Sequence, residues 1–247
     1  MPVERAIILA AGTGSRMGSL TADRPKALLD VNGRTLIDRQ LSALHYHDIY
    51  DITIVSGYQH ERLRSHVGRR ARVIENRNHA TTNSLYSLAL ARHVIEDGTL
   101  IMNADVLVSA ELLGCLIDAP SDDAVLVERR DVFGEEEMKV AIWHDFAIRF
   151  GKDLRPEDSH AENVGVVKLG PTGGELLLDE IDRLLASGET NAWAPKAFDA
   201  LAQHWPLLAV EIGGVPWIEI DFPEDLVRAE QEIAPALAGL PVAGVFA

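Results

Sequence analysis

The chain has 247 residues, of which 47% are hydrophobic and 25% are charged, and its formal net charge is −15. This length and composition are sufficient to bury one sizeable core, so they exclude a disordered or fibrous chain. A strongly acidic protein is poorly suited to bind nucleic acid or an anionic membrane surface, and the apolar runs are much shorter than the roughly 20 residues that cross a bilayer. We therefore expect a soluble protein with neither partner.

The amino-terminal residues and the cysteine content bear on the compartment. The segment MPVERAIILAAG carries Glu4 and Arg5 and leads directly into a strand pattern, without the features of a signal peptide. Cys115 is the single cysteine, so the chain cannot form an internal disulfide, as is typical of a reducing compartment. These features predict a cytoplasmic protein.

Apolar runs of strand length alternate with segments of helical period through the first half of the chain. This alternation is typical of a largely parallel sheet with helical crossovers. The predicted elements are a strand at 5–11, a helix at 35–47, a strand at 52–56, a helix at 61–66, a strand at 71–75, a helix at 83–93, a strand at 99–103 and a helix at 110–117.

The pattern changes after residue 124, where three apolar runs follow one another across short connections, as in antiparallel strands. Two helices at 174–186 and 194–204 come next, then strands at 208–212 and 217–220, and Pro223 opens a last helix. We find no internal repeat and no linker. The prediction is an α/β fold, with residues 1–247 forming a single Rossmann-like α/β/α sandwich that has a mostly parallel mixed sheet and a small antiparallel extension.

A glycine-rich turn, LAAGTGSRM, follows the first predicted strand and contains Gly12 and Gly14 before Arg16. Glycines at this place let the backbone approach a phosphate, and successive N–H groups can form an anion-binding concavity. Met17 stands where a dinucleotide-binding turn needs its third glycine, and the lysine-containing end of a Walker loop is absent. The turn therefore predicts a phosphate site outside these two motifs.

The segment from Leu9 to Gln40 resembles the signature of the nucleotidyltransferases that activate phosphorylated sugars and alcohols with a nucleoside triphosphate. The pattern A-G-x-G-x-R, followed by a threonine, P-K and a leucine-rich strand, is matched by Ala11, Gly12, Gly14, Arg16, Thr21, Pro25, Lys26 and Leu28. The resemblance covers nearly the whole chain. It implies that the nucleotide is contacted by Leu9, Ala11, Gly12, Thr13 and Gly14.

Arg16 and Lys26 are the candidate catalytic residues. A triphosphate carries about four negative charges, so in an acidic protein it needs cations held by a rigid turn. The planar guanidinium of Arg16 suits the β and γ phosphates that leave as pyrophosphate. Lys26, which follows Pro25, can neutralise charge near the reacting α-phosphorus.

The polar segment NRNHATTNSLYSL leads into the predicted helix at 83–93, and Thr82, Asn83 and Ser84 are all good helix caps. In the resembling family this segment covers the nucleobase and ribose. Its ending is similar to that of the phosphocholine and aminoethylphosphonate cytidylyltransferase branch. The resemblance therefore implies that these three residues contact a cytosine base, and helix capping is the alternative explanation.

Carboxylates follow two remote strands. Asp105 comes after the strand at 99–103, although Ala104 replaces a glycine usual in the family, and the tail PWIEID supplies Glu219 and Asp221 in a motif that resembles the family's ending. Two aspartates brought together beside a triphosphate provide the oxygen ligands that a hard divalent cation prefers. We expect Asp105 and Asp221 to bind Mg²⁺.

The acceptor site rests on resemblance to the cytidylyltransferase branch. The stretches EEMKV and GKDL imply that Lys139 grips the phosphate or phosphonate of the acceptor, with Lys152 nearby. Trp193 and Glu219 are the predicted contacts to the rest of the acceptor. Because Lys196 follows Trp193 closely, a cation near the head group would favour a neutral or hydroxylated acceptor over a choline-like one. The alternative is that Lys196 faces solvent on its helix.

The resemblance implies a cytidylyltransferase that uses CTP and a small phosphate- or phosphonate-bearing acceptor and releases pyrophosphate. One alternative with the same fold is a sugar-1-phosphate nucleotidyltransferase that uses UTP, GTP or dTTP. Another is a nucleotide-binding regulatory domain that has lost catalysis, against which the presence of Arg16, Lys26, Asp105 and Asp221 counts. The sequence leaves open whether the protein forms a homodimer.

Overall fold

Apolar side chains alternate between the two faces of the first strand, β1 (Arg5–Ala10), in the computed structural model. Ala6 and Ile8 pack into one hydrophobic core, and Ile7 and Leu9 pack into another on the opposite face. A strand that is buried on both faces requires helices on both sides of its sheet. The run RAIILA thus places β1 at the centre of a three-layer structure.

The structure describes residues 3–95 and 98–238. The further strands, in chain order, are β2 (Asp30–Val31), β3 (Arg34–Thr35), β4 (Asp51–Ser56), β5 (Arg72–Glu75), β6 (Thr99–Asn103), β7 (Val106–Leu107), β8 (Ala124–Arg129), β9 (Lys139–Trp143), β10 (Phe146–Gly151), β11 (Ala161–Leu169), β12 (Leu207–Glu211) and β13 (Ile218–Glu219).

The helices lie on both faces of the main sheet and, at the end of the chain, beside it. They are α1 (Leu36–Tyr46), α2 (His60–Val67), α3 (Ser84–Leu90), α4 (Arg92–Ile95), α5 (Ala110–Ile117), α6 (Pro171–Ala186), α7 (Pro195–Ala202), α8 (Pro223–Arg228) and α9 (Ala234–Ala238). Short 3-10 helices span Ser15–Thr21, Lys26–Leu28 and Pro156–Asp158, and a π-helical turn spans Ala229–Ile233. Within the described ranges, no helix combines the length and apolar character needed to cross a bilayer.

The main sheet has the strand order β5-β4-β1-β6-β11-β8-β12-β10-β9. The four strands from β5 to β6 are parallel, whereas β11 runs antiparallel to both β6 and β8. The predicted α/β fold with a mixed sheet is confirmed. Its antiparallel part is larger than the predicted small extension, because β11 enters the middle of the sheet and β9 and β10 close its far edge.

The order of the parallel strands creates a crevice. The chain leaves β1 towards β4 on one side and later returns to β6 on the other side. The carboxyl ends of β1 and β6 therefore flank a topological switch point, where open α/β sheets bind ligands. The glycine-rich turn follows β1, and Asp105 follows β6, so both meet at this crevice.

The helix predicted at 83–93 is interrupted in the structure. Helix α3 ends at Leu90, where the N–H of Ala91 donates to the carbonyl of Leu88, and α4 begins at Arg92. This bond spans three residues and tightens the chain before α4. Both short helices pack their apolar residues, including Leu85 and Ile95, against the same face of the sheet.

A third hydrophobic cluster joins remote parts of the chain beside the crevice. Met17 and Leu29, from the segment after the glycine-rich turn, pack with Ile218 and Ile220 from the tail. The antiparallel pair β7 and β13 adds Leu107 to this cluster and aligns Glu219 with Val106. The cluster thereby holds the tail carboxylates next to Asp105.

Candidate active site

A cleft of about 490 Å³ lies at the carboxyl ends of β1 and β6. All but one of the residues predicted from the sequence to form the site line this cleft. They are Leu9, Ala11, Gly12, Thr13, Gly14, Arg16, Lys26, Thr82, Asn83, Ser84, Asp105, Lys152, Trp193, Glu219 and Asp221. The exception is Lys139. The roles assigned to the lining residues stay predictions.

The turn after β1 needs glycine at position 14. Gly14 has a φ of +62°, and a Cβ there would lie 3.1 Å from Thr21 Cγ2 and 3.2 Å from Lys26 Cβ. The Thr21 hydroxyl donates to the Gly14 carbonyl at 2.8 Å, and the Met17 N–H donates to the same oxygen at 2.9 Å. The turn is therefore a fixed structure that packs directly against Lys26.

Lys26 lies between two carboxylates. Its Nζ is 2.9 Å from Asp105 Oδ2 and 2.6 Å from Asp221 Oδ1. Burial alone would lower the pKa of Lys26, but the charges of Asp105 and Asp221 outweigh it and raise that pKa well above its ordinary value. The ammonium thus stays charged and is held in one place.

Asp105, Glu219 and Asp221 form a carboxylate cluster in which the potential ligand oxygens all lie within 4.8 Å of one another. Burial raises the pKa of Glu219 to about 8, with the negative charges of Asp105 and Asp221 adding to the effect. Burial also acts to raise the pKa of Asp221, but Lys26 and Arg16 outweigh it and lower that pKa. At neutral pH an ionised Asp221 thus lies beside a mostly protonated Glu219.

Local hydrogen bonds explain how the tail reaches Asp105. The N–H of Ile220 donates to the Asp105 carbonyl at 3.0 Å. At the start of α8, Asp225 Oδ2 accepts from the N–H groups of Asp221 and Phe222. The cap of α8 and the β7–β13 pairing therefore fix Asp221 from both sides.

Arg16 extends from the glycine-rich turn to the opposite wall of the cleft. Its Nη1 is 3.1 Å from both Asp221 Oδ2 and Glu136 Oε2. The guanidinium carbon is also 5.4 Å from the ring centroid of Phe222. About two-fifths of the side chain is exposed, so Arg16 can reach a ligand that enters the cleft.

The polar segment before α3 is organised by Asn76, which is fully buried. Asn76 Nδ2 donates to the hydroxyls of Thr82 and Ser87 at 3.1 and 3.0 Å, while Oδ1 accepts from the N–H of Asn78 at 2.9 Å. These bonds fold residues 76–83 into a turn that faces the cleft. Sequence reasoning did not select Asn76, whose role appears only once both ends of the turn are placed.

Asn83 and Ser84 both have structural partners. Asn83 is the N-cap of α3, and its Oδ1 accepts from the N–H of Ser84 at 2.8 Å. Helix capping, the alternative explanation, is therefore confirmed for Asn83. Ser84 Oγ accepts from the N–H of Ala194 at 2.7 Å. The contacts of these residues with a base stay predictions.

The acceptor residues implied by resemblance separate into two groups. Lys139 is buried and its ammonium donates to the backbone carbonyl of Lys152, so the structure does not bring it into the cleft. Lys152 does line the cleft, with Nζ 3.0 Å from Glu136 Oε2 and 4.8 Å from the ring centroid of Trp193. Of these two lysines only Lys152 lines the cleft, because the β9 register turns Lys139 inward.

Lys196 does not lie beside the predicted acceptor site. Its Nζ is 2.6 Å from Glu189 Oε1, and the residue does not line the cleft. The cation beside Trp193 is Lys152 instead. The preference for a neutral acceptor over a cationic one thus loses the support of Lys196, although a different cation, Lys152, lies beside Trp193.

Several cleft residues carried no recognisable sequence signal. Glu136 lies in the acidic run GEEEM, which has the composition of an ordinary solvated surface. Asn163 reaches the cleft because β11 has a bulge next to Gly165, whose φ is +84° and where a Cβ would lie 2.9 Å from Asn103 Nδ2. The glycine was the one available hint, since an isolated glycine in a strand marks such a bulge.

Comparison with solved structures shows the class of fold. The inositol-1-phosphate CTP transferase from T. maritima superposes with a TM-score of 0.80 at 19% identity, covering 98% of this chain and 99% of that one. The structure thus has a nucleotidyltransferase fold. Residues 6–205 match the sequence profile of the MobA-like NTP transferase domain, and the chain belongs to that family.

Two curated relatives are similar along most of this chain. CMP-5'-(3-aminopropyl)phosphonate synthase from Streptomyces rubellomurinus is 27% identical over 246 residues, covering 94% of this chain and 39% of the relative. CTP:phosphoglutamine cytidylyltransferase from Campylobacter jejuni is 26% identical over 248 residues, covering 90% of this chain and 97% of the relative. The chain spans about half or less of the length of the first curated relatives that it matches.

Proposed function

We propose that this chain is a cytidylyltransferase that transfers CMP from CTP to a small phosphorylated alcohol or phosphonate and releases pyrophosphate. The observation that carries the proposal is the convergence of Arg16, Lys26 and three carboxylates on the glycine-rich turn at the sheet's switch point. The names of its relatives, which specify CTP or CMP together with phosphate or phosphonate acceptors, support this choice of substrates.

The proposed reaction needs no general base. An acceptor phosphate has a second pKa near ~6, so it is already an anion at neutral pH. One of its oxygens forms a bond to the α-phosphorus of CTP, and the bond from that phosphorus to the oxygen shared with the β-phosphorus breaks. Pyrophosphate leaves with the electron pair. Catalysis then consists of positioning and charge neutralisation.

Each cation of the cleft has a place in this scheme. Lys26 lies deepest, next to the glycine-rich turn, and would neutralise charge at the α-phosphate. Arg16 would hold the leaving pyrophosphate. Lys152, beside Trp193, would bind the phosphate or phosphonate of the acceptor.

The carboxylate cluster fits the proposed Mg²⁺. Asp105 Oδ1 is buried without a hydrogen-bond partner, and carboxylate oxygens are the ligands that Mg²⁺ prefers. Asp105 and Asp221 would hold the ion, with Glu219 next to them. When bound, Mg²⁺ supplies positive charge to phosphate oxygens at the reaction centre.

A substitution at Asp105 tests the proposed metal site. Asp105→Asn keeps the side-chain shape but removes a charged ligand, so we expect it to abolish the increase in CTP affinity that Mg²⁺ causes in the parent protein. Calorimetric titration with CTP, with and without Mg²⁺, measures this effect. Asp179→Asn, the same change at an exposed position of α6, serves as the control and should retain the full Mg²⁺ effect. A normal Mg²⁺ effect in Asp105→Asn would contradict the assignment.

The experiment that tests the function is a donor and acceptor panel. Pyrophosphate release is measured with CTP, UTP, GTP, dTTP and ATP, each with phosphocholine, 2-aminoethylphosphonate, 2-hydroxyethylphosphonate, glycerol phosphate, inositol phosphate and glucose 1-phosphate. We expect CTP to be preferred with one of the phosphoalcohols or phosphonates. Preference for UTP, GTP or dTTP with a sugar 1-phosphate would overturn the cytidylyltransferase proposal, and no release with any pair would favour a binding domain.

A further inference from the structure

The segment between β8 and β9, residues 130–138, passes the mouth of the cleft and brings one carboxylate to both of its walls. Glu136 Oε2 is 3.1 Å from Arg16 Nη1 and 3.0 Å from Lys152 Nζ. Arg16 belongs to the turn after β1, and Lys152 belongs to the turn after β10. Glu136 therefore bridges the two cations that the proposed function assigns to the leaving group and the acceptor.

The contact places an oxyanion on groups suited to phosphate. A carboxylate and a phosphate present similar hydrogen-bond acceptors to a guanidinium or ammonium group. The hydrogen bond and charge of Lys152, together with Arg16, lower the pKa of Glu136, so its carboxylate is ionised at neutral pH. A phosphate chain that binds Arg16 therefore competes with a group that is already charged.

Glu136 differs from the other carboxylates around these cations. Asp221, the second partner of Arg16, is half-buried and fixed by the cap of α8, whereas the Glu136 side chain is 61% exposed on a segment without regular secondary structure. Exposed ion pairs contribute little free energy because water screens them. The Glu136 contacts can thus break without disturbing the fold.

We propose that Glu136 is a displaceable counterion that sets the affinity of the cleft for triphosphate and pyrophosphate. This inference rests on the proposed function. Glu136 pairs with Arg16 and Lys152 until a phosphate chain binds Arg16, and the bound polyanion then repels the displaced carboxylate. The same competition opposes the rebinding of pyrophosphate after transfer, because Glu136 returns to the cations that the product has left.

The test compares two adjacent glutamates of one segment. Glu136→Gln removes the competing charge, and Glu135→Gln makes the same change at an exposed neighbour that does not line the cleft. Calorimetric titrations with CTP and with inorganic pyrophosphate, both with Mg²⁺ and without acceptor, give the dissociation constants. We expect Glu136→Gln to bind both ligands about three- to tenfold more tightly, consistent with the loss of the exposed ion pair with Arg16 and of the nearby negative charge, and Glu135→Gln to change less than about twofold. The difference between the variants should shrink as salt is added.

Other outcomes overturn the inference in distinct ways. An equal increase in affinity in both variants would mean that the overall negative charge of the segment, and not the position of Glu136, controls binding. Weaker binding in Glu136→Gln would mean that Glu136 positions Arg16 for the ligand instead of competing with it. Failure of the parent protein to bind CTP or pyrophosphate would refute the proposed function itself, whereas normal binding that is insensitive to Glu136 would refute the inference alone.

Discussion

Lys26 shows how single residues organise the candidate site. Its stem packs against Gly14, and its ammonium contacts Asp105 and Asp221, so one side chain links the phosphate-binding turn to both aspartates. These residues come from three separate parts of the chain. A cation held by such fixed partners needs little reorganisation during a reaction, which is the condition for electrostatic catalysis.

Replacing Lys26 tests this role. Lys26→Ala should lower kcat by roughly 10²-fold or more, the scale of losing one preorganised donor at a developing charge. Lys196→Ala is the matched control, since Lys196 pairs with Glu189 outside the cleft, and it should leave kcat near the parent value. Steady-state kinetics with CTP and the preferred acceptor measure both. A change in KM alone would show that Lys26 binds substrate without acting on the transition state.

Residues of the site differ in how far the sequence predicts them. Arg16, Lys26 and Asp105 follow strand ends or sit in a turn motif, so local sequence places them at the cleft. Lys139 and Glu136 could not be placed in this way. Whether Lys139 points inward depends on the pairing of β9 with β10 and β11, and Glu136 meets Arg16 across 120 residues of chain.

At the scale of elements, the turn before α3 is tied to the far side of the cleft. The N–H groups of Asn83 and Leu85 donate to the carbonyls of Thr190 and Ala192, which precede Trp193. These backbone hydrogen bonds therefore connect the predicted base-binding segment to the segment that carries Trp193, the predicted acceptor contact. A disturbance of this turn should affect the choice of nucleotide before it affects the chemistry.

Asn76 is the residue that tests the turn. Asn76→Ala removes three hydrogen bonds inside residues 76–87, so we expect KM for CTP to rise about tenfold and the preference for CTP over UTP to fall, with a smaller effect on kcat. Asn78→Ala, at an exposed position in the same segment, should change these values little. Kinetics with both triphosphates measure the effect. Unchanged selectivity in Asn76→Ala, together with lower thermal stability, would indicate a purely structural role.

The elements themselves were largely predictable, because their signals are local. The strand at 99–103 and the helix at 110–117 have the predicted bounds, α1 is one residue shorter than predicted at each end, and β4 begins one residue earlier than predicted. The place of β11 in the sheet was not predictable. The short connections predicted an antiparallel direction for this strand, but no local signal indicates that it inserts between β6 and β8.

At the scale of the whole molecule, α1 and α2 are joined by a charged cluster whose residues do not line the cleft. Asp38 accepts hydrogen bonds from Thr35 at 2.7 Å and Arg70 at 2.6 Å, and His66 lies 2.9 Å away. Burial acts to raise the pKa of Asp38, but these partners outweigh it and lower the pKa below its ordinary value of 3.8. The native protein therefore favours the ionised carboxylate.

Because its pKa is lowered, Asp38 stabilises the folded protein less as the solution becomes more acidic. Between the folded and the unfolded pKa of Asp38, the unfolded chain binds more protons than the folded protein. The contribution of Asp38 to the free energy of unfolding is therefore present above about pH 4 and is lost as the pH falls through the lower, folded pKa. Asp38→Asn should therefore cost about 1 kcal/mol of unfolding free energy at neutral pH and less near pH 3. Urea denaturation at both pH values measures this, with Asp179→Asn as the control. An equal cost at both pH values would contradict the linkage.

The central claim is that the cleft directs an acceptor oxygen to the α-phosphorus of CTP. Parallel reactions with CTP radiolabelled at the α- or the γ-phosphorus, using the acceptor that the panel identifies, test it most directly. We expect the α label to appear in a CMP-linked product and the γ label to appear only in pyrophosphate, with Lys26→Ala forming little of either. Transfer of the γ label to the acceptor, or an α label that remains in CDP, would contradict the account.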